Sequence, residues 1–229
     1  MPRTARIVIP NTPHHIIQRG HNREVVFVGE EDYLYYMSNL KEWKEKLNCK
    51  IYAYCLMTNH VHLIIDPGRK AENLGLLMKR VTGRQTRYVN KVQGRTGTLW
   101  EGRFRSSPIN RNEYLLACCR YIELNPVRAN MVAEPEEYKW SSYREKIGEV
   151  RNSSIDKDPC YDSLGDTERE RRKAYKEWMK DAIPEGEWKI IREALQRGQL
   201  TGNSRYIEQI EKRIGERIEF RGQGRPRKK

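Results

Sequence analysis

Apolar residues recur with two different periods over the first 145 residues, and each change of period marks off an element. Residues 14–18 form an apolar, β-branched stretch ended by Gly20, which predicts a strand. From residue 30 to about 48 the spacing shifts to three and four. Leu34, Met37, Leu40, Trp43 and Leu47, with Lys44 alongside, then predict a helix with a core-facing stripe. Glu30, Glu31 and Asp32 suit the positive end of its dipole. Residues 51–57 and 60–66 read as two strands joined tightly through Thr58 and Asn59. A second helix fits residues 73–92, with Leu74, Leu77, Met78, Val81 and Gln85 on one side, and Gly94 and Gly97 break it. A short extended piece at 104–109 precedes a third helix at 111–124, which Asn125-Pro126 stops. The order β-α-β-β-α-β, followed by a helix, predicts an α+β fold. Its core is a ferredoxin-like split β-α-β unit, an antiparallel sheet with helices on one face.

The pattern changes after residues 1–145. Residues 146–166 are polar, contain Asn152-Ser153-Ser154 and Asp158-Pro159, and read as a linker. Residues 167–220 read as a charged helical region, with helices at 167–182, 185–196 and 204–215 separated by Pro184 and by Gly198 and Gly202. Two short helices around a glycine-containing turn suit a DNA-binding helix-turn-helix or an ordinary helical hairpin. The tail, residues 221–229, holds five basic residues and no acid. Its Gly224-Arg225-Pro226 centre is like an AT-hook, whose arginines lie in the narrow minor groove; an ordinary solvated basic tail fits as well.

Charge narrows the choice of partner. Lys and Arg number 44 against 31 Asp and Glu, a net charge of +13, which favours a polyanion and most commonly nucleic acid. No apolar run is long enough to cross a bilayer, and the first residues lack the apolar segment of a signal peptide. The five cysteines are odd in number and contain no CxxC pair. Reduced thiols in a cytoplasmic, nucleoid-associated protein are therefore expected, with neither a disulfide framework nor a thiolate zinc site.

Two groups of residues bear on chemistry. His60 and His62 lie two apart in a predicted strand, so both imidazoles face one way while Val61, Leu63 and Ile65 face the other. Such a pair can grip one divalent ion or simply form a hydrogen-bonded strand pair. On the third helix, Leu115, Cys119 and Ile122 share the core sector, whereas Tyr114, Tyr121 and Asn125 fall on an adjacent face. Tyr121 and Asn125, four apart, are near neighbours. Tyrosine can serve as a nucleophile and an Asn carbonyl as a hard ligand. Alone, these two residues read better as a core-edge aromatic and a helix terminator. Combined with the histidines and a basic chain, they suggest metal-assisted phosphodiester cleavage.

The motifs also carry a resemblance. HVH at 60–62 resembles the His–bulky apolar–His motif of HUH nucleases, and RYIELNPVRA around Tyr121 resembles the catalytic helix of single-tyrosine HUH transposases. QRGHNRE at 18–24 and LWEGRFRSS at 99–107 are similar to the same group. Over about residues 16–143 the chain resembles the REP-associated tyrosine transposases. The resemblance implies that Tyr121 is the nucleophile, that His60, His62 and Asn125 hold Mg²⁺ or Mn²⁺, and that cleavage gives a 5′-phosphotyrosine. Asn125 stands where the insertion-sequence branch usually has Gln, and Ala117 and Asn125 leave no second tyrosine four residues from Tyr121. The implied substrate is single-stranded DNA folded into REP-type hairpins. Arg19, Asn22, Arg23, Arg103 and Arg105 are its candidate phosphate or base contacts, and Arg221, Arg225, Arg227, Lys228 and Lys229 add salt-sensitive affinity. Trp100 either stacks on a base or packs in the core. A monomer and a homodimer both fit the resemblance. Two other readings are a catalytically idle DNA-binding regulator and an unrelated metallophosphodiesterase that uses water as nucleophile.

Overall fold

A computed structural model describes residues 6–150, 153–181, 183–215 and 218. Four strands, β1 (His14–Arg19), β2 (Lys50–Met57), β3 (His60–Asp66) and β4 (Arg105–Pro108), form one sheet in the order β2-β3-β1-β4. Every neighbouring pair is antiparallel. Helix α1 (Glu30–Lys46) joins β1 to β2, and α2 (Glu72–Val92) joins β3 to β4. This is the ferredoxin-like arrangement expected from the element order.

The sheet has two apolar faces, and alternation assigns each residue to one of them. Ile16, Leu56, Val61, Leu63 and Ile65 belong to the cluster that also holds Leu74, Leu77, Met78 and Val81 of α2. Burying each such side chain is worth about 1.5–3 kcal/mol. The expected stripe of α1 is rotated. Leu34 is 53% exposed, whereas Tyr33, Tyr36 and Leu40 are buried. Aromatic packing sets this rotation, because Tyr33 stacks between Phe27 at 4.5 Å and Trp140 at 4.4 Å. The next residue, about 100° further round, then points outward. Trp100 belongs to the same core, and its Nε1 donates to the Thr82 carbonyl, so it packs rather than offering a face for a base.

Helices occupy both faces, not one. Helix α3 (Arg111–Glu123) lies on the opposite face, where Leu115, Cys118, Cys119 and Ile122 pack with Ile64, Cys55 and Met57. Short helices α4 (Asn125–Arg128), α5 (Tyr143–Lys146) and α6 (Pro159–Asp162) follow, then α7 (Glu168–Lys180), α8 (Glu185–Arg197) and α9 (Ser204–Ile214). The polar stretch between the two regions is tied down, since Asp156 accepts hydrogen bonds from the Ile51 amide and from Lys44. Thr167 and Glu170 form a capping box at the start of α7. Gly198, at φ +66°, ends α8 in the left-handed region, and the chain then runs beside β4, where the Thr201 amide donates to the Pro108 carbonyl. Ile207 and Ile210 of α9 pack on Ile9 and Leu200. Among the described residues no helix is long and apolar enough to cross a membrane. The basic tail, with Arg221, Arg225, Arg227, Lys228 and Lys229, lies outside the described residues.

Two charges on α3 are buried, Arg120 at 3% exposure and Glu123 at 0%. Arg120 reaches the Trp178 carbonyl and Glu187. Glu123 accepts from Ser142 and Tyr175 and pairs with Lys146 at 3.2 Å. Removing one member of such a pair strands the other in a dry interior. Lys146→Met should lower the unfolding free energy by about 3–5 kcal/mol in urea titrations.

His14 supplies a pH dependence. Its Nδ1–H donates to the Thr12 carbonyl, its Nε2 accepts from the Ile9 amide, and burial pushes its pKa down to about 4. Because the folded pKa lies below the ordinary 6.5, protonation favours the unfolded chain. This contribution is therefore complete above pH 6.5 and is lost as the pH falls towards about 4. Urea midpoints measured across that window should fall, and His14→Gln should flatten the slope.

Candidate active site

The β2–β3 hairpin places the two motif histidines. With Val61, Leu63 and Ile65 committed to the α1–α2 side, His60 and His62 face the α3 side of the sheet, their ring centroids 5.1 Å apart. Both rings are held through Nδ1. The His60 Nδ1–H donates to Asn59 Oδ1 at 2.6 Å, and His62 Nδ1 lies 2.9 Å from His15 Nε2. Burial, reinforced by the Arg19 charge, pushes His60 down to about 4. Burial holds His62 well below the usual histidine range, with His15, His60, Arg19 and Arg128 adding to the effect. Both imidazoles are thus neutral at neutral pH, the form that ligates metals.

Helix α3 brings Tyr121 over this pair. Its ring centroid lies 6.1 Å from His62 and 5.6 Å from His15, edge-on to both. On its other side, Trp188 of α8 sits 5.2 Å away, and the Arg128 guanidinium lies 5.2 Å above the phenol ring. Asn125, where the chain passes from α3 to α4, lines the same cleft, and its buried Nδ2 has no hydrogen-bond partner among the described residues. The cleft measures about 860 Å³.

Of the expected DNA contacts, Arg19, Arg23 and Arg105 line this cleft with His60, His62, Tyr121 and Asn125. Arg105 also donates to the Gln196 carbonyl near the end of α8, where a cation meets the negative end of the helix. Asn22 and Arg103 are exposed and lie off the cleft wall. The two glycine-containing motifs meet beside the histidines. The His21 amide donates to the Leu99 carbonyl, the Glu101 amide to Arg19, and Gln18 Nε2 to Gly102. Three further residues, His15, Arg128 and Trp188, stand at the site. His15 is visible in the sequence only as a polar residue in an apolar strand. Trp188 gives no local signal, since tertiary packing alone brings α8 to Tyr121, whereas Arg128 lies within RYIELNPVRA, about two helical turns after Tyr121.

Among the described residues no three His, Cys, Asp or Glu side chains cluster as a metal cage. The donor set is two imidazoles plus one amide, in an open cleft. With both Nδ1 atoms engaged, each histidine has Nε2 left to offer. Two such nitrogens and a hard amide oxygen fit a divalent ion that keeps open positions for substrate oxygens.

Comparison with known proteins bears on the fold and the family. A solved structure of a REP-associated tyrosine transposase bound to a REP hairpin superposes with a TM-score of 0.56 at 16% identity, covering 69% of this chain and 95% of that one. No curated protein matches the chain. The model of the IS200-like transposase family matches residues 9–125, which run from ahead of β1 through His60, His62 and Tyr121 to Asn125. The chain belongs to the IS200-like transposase family.

Proposed function

We propose that the protein cleaves and rejoins single-stranded DNA through Tyr121, at hairpins of the REP type. The observation that carries this reading is the meeting of Tyr121 with His60 and His62 in one arginine-lined cleft. A divalent ion, Mg²⁺ or Mn²⁺, bound by His60, His62 and Asn125 would supply positive charge to the phosphate and the departing oxygen. In the step itself, Tyr121 Oη bonds to phosphorus and the bond from phosphorus to the 3′-oxygen breaks. The phenol proton passes to solvent and the 3′-oxygen takes up another, leaving a 5′-phosphotyrosine and a 3′-hydroxyl. A later 3′-hydroxyl attack reverses the exchange without an outside energy source, because the phosphodiester energy stays in the phosphotyrosine. Trp188 and Arg128 hold the phenol ring, while Arg19 and Arg23 meet the phosphates on either side. One copy of the chain brings all these groups together, which favours a monomer. The hairpin preference draws on the solved neighbour, whose structure contains a REP hairpin.

Incubating the protein with end-labelled hairpin DNA and Mn²⁺ should give an adduct that survives denaturation. Tyr121→Phe, or EDTA, should abolish it. Tight binding without an adduct would support a DNA-binding regulator instead, and cleavage that persists in Tyr121→Phe would point to water as the nucleophile.

His15 sets the orientation of His62. His62 can present Nε2 to an ion only when its Nδ1 carries the proton and donates to His15 Nε2. His15→Ala should weaken Mn²⁺ binding about 10–100-fold by calorimetry. His15→Gln, whose carbonyl can accept the same bond, should recover part of it.

A further inference from the structure

We infer that α8 is a strand-binding wall of the catalytic cleft, where Arg128, Lys189 and Arg192 hold the phosphodiester backbone of the single strand running on from the scissile phosphate. This inference rests on the DNA-cleaving reading above. All three residues lie beyond the segment that the family model matches, which ends at 125.

The placement of α8 is fixed by its other faces. Ile191, Ala194 and Leu195 are buried, Trp188 packs on Tyr121, and Glu187 pairs with Arg120 of α3 at 3.2 Å. The helix therefore cannot serve as a detached reading head; its polar side is left along the cleft. A second hollow of about 380 Å³ opens over this side and shares Arg128, Arg192, Glu193 and Gln196 with the catalytic cleft. The two form one continuous path.

Charge and shape identify the occupant. Glu193, the one carboxylate on this path among the described residues, is paired with Arg197 at 3.3 Å. Lys189 and Arg192 are exposed, and among the described residues neither is in an ion pair. Arg128 lies 3.6 Å over the Trp188 ring, leaving its charge uncompensated by any carboxylate among the described residues. Trp188, Arg192 and Gln196 follow one another at single-turn spacing, so the indole and one cation share a stripe, with Lys189 about 100° round from it and Arg128 reaching over the indole from α4. Cations tracking a backbone beside an aromatic surface are the usual makings of a single-strand groove. Continuity with Tyr121 distinguishes a nucleic-acid strand from any other polyanion, because the strand must leave the cleft somewhere.

The test uses the full chain in EDTA, so that binding is read without cleavage. Fluorescence anisotropy compares a bare hairpin with hairpins carrying a flank of about 10 nucleotides on the 5′ or the 3′ side. Wild type is set against the double variant Lys189→Gln, Arg192→Gln, whose exposed positions leave folding intact, as an unchanged thermal midpoint checks. The inference expects about tenfold weaker binding of a flanked hairpin, with the bare hairpin unaffected. The slope of log affinity against log salt should fall by about 1.4, which is about 0.7 for each phosphate no longer neutralised. Equal weakening on bare and flanked DNA, or none on either, overturns it. The adduct assay separates this result from the parent reading. A wild-type adduct with unchanged flank binding in the double variant defeats the role of α8 alone. A missing adduct defeats Tyr121, and the flank measurement still decides for or against α8.

Discussion

The structure depends on how one helix is enclosed. Helix α3 carries the tyrosine, and it is buried almost all round, with Arg120 and Glu123 among its hidden residues. A buried charge is tolerated only with partners, and an isolated sheet with two helices has none to give. The partners come from the second half of the chain. Lys146, Ser142 and Tyr175 meet Glu123, while Glu187 and the Trp178 carbonyl meet Arg120. The C-terminal helices are thus part of the support for the helix that carries Tyr121, and the region after residue 145 packs against it.

That enclosure joins a second constraint, the alternation of the sheet. Leu63 and Ile65 need the α1–α2 core, and their demand sends His60 and His62 to the α3 face. The two histidines and the tyrosine meet because two separate hydrophobic requirements are satisfied at once. Neither requirement concerns chemistry. The neutral state of the imidazoles is a by-product of the same burial, reinforced by the basic residues that surround the cleft.

The basic character of the chain also takes on a local meaning. Arg19 at the end of β1, Arg23 in the turn that follows it and Arg105 in β4 gather at the cleft, and Arg192 arrives on α8. Excess charge spread over the whole surface would give weak, salt-sensitive adhesion to any nucleic acid. Concentrated in the cleft that holds Tyr121, it gives that one place a strong attraction for phosphate.

The sequence alone determined the order of the first elements, the fold class that this order permits, and the shared face of His60 and His62. All three follow from local periods of two and of about 3.6 residues. It also marked Tyr121 and Asn125, because their spacing of four survives in any helix. Tertiary structure decided the remainder. Whether Leu34 or Tyr33 faced inward depended on Phe27 and Trp140, which no local period reveals. His15 and Trp188 joined the site through contacts between segments 47 and 67 residues distant from His62 and Tyr121. The polar segment that reads as a linker is fastened to β2 because Asp156 finds the Ile51 amide and Lys44. A sequence shows which residues can bury or ligate; the particular partner is chosen only when distant segments compete for the same surface.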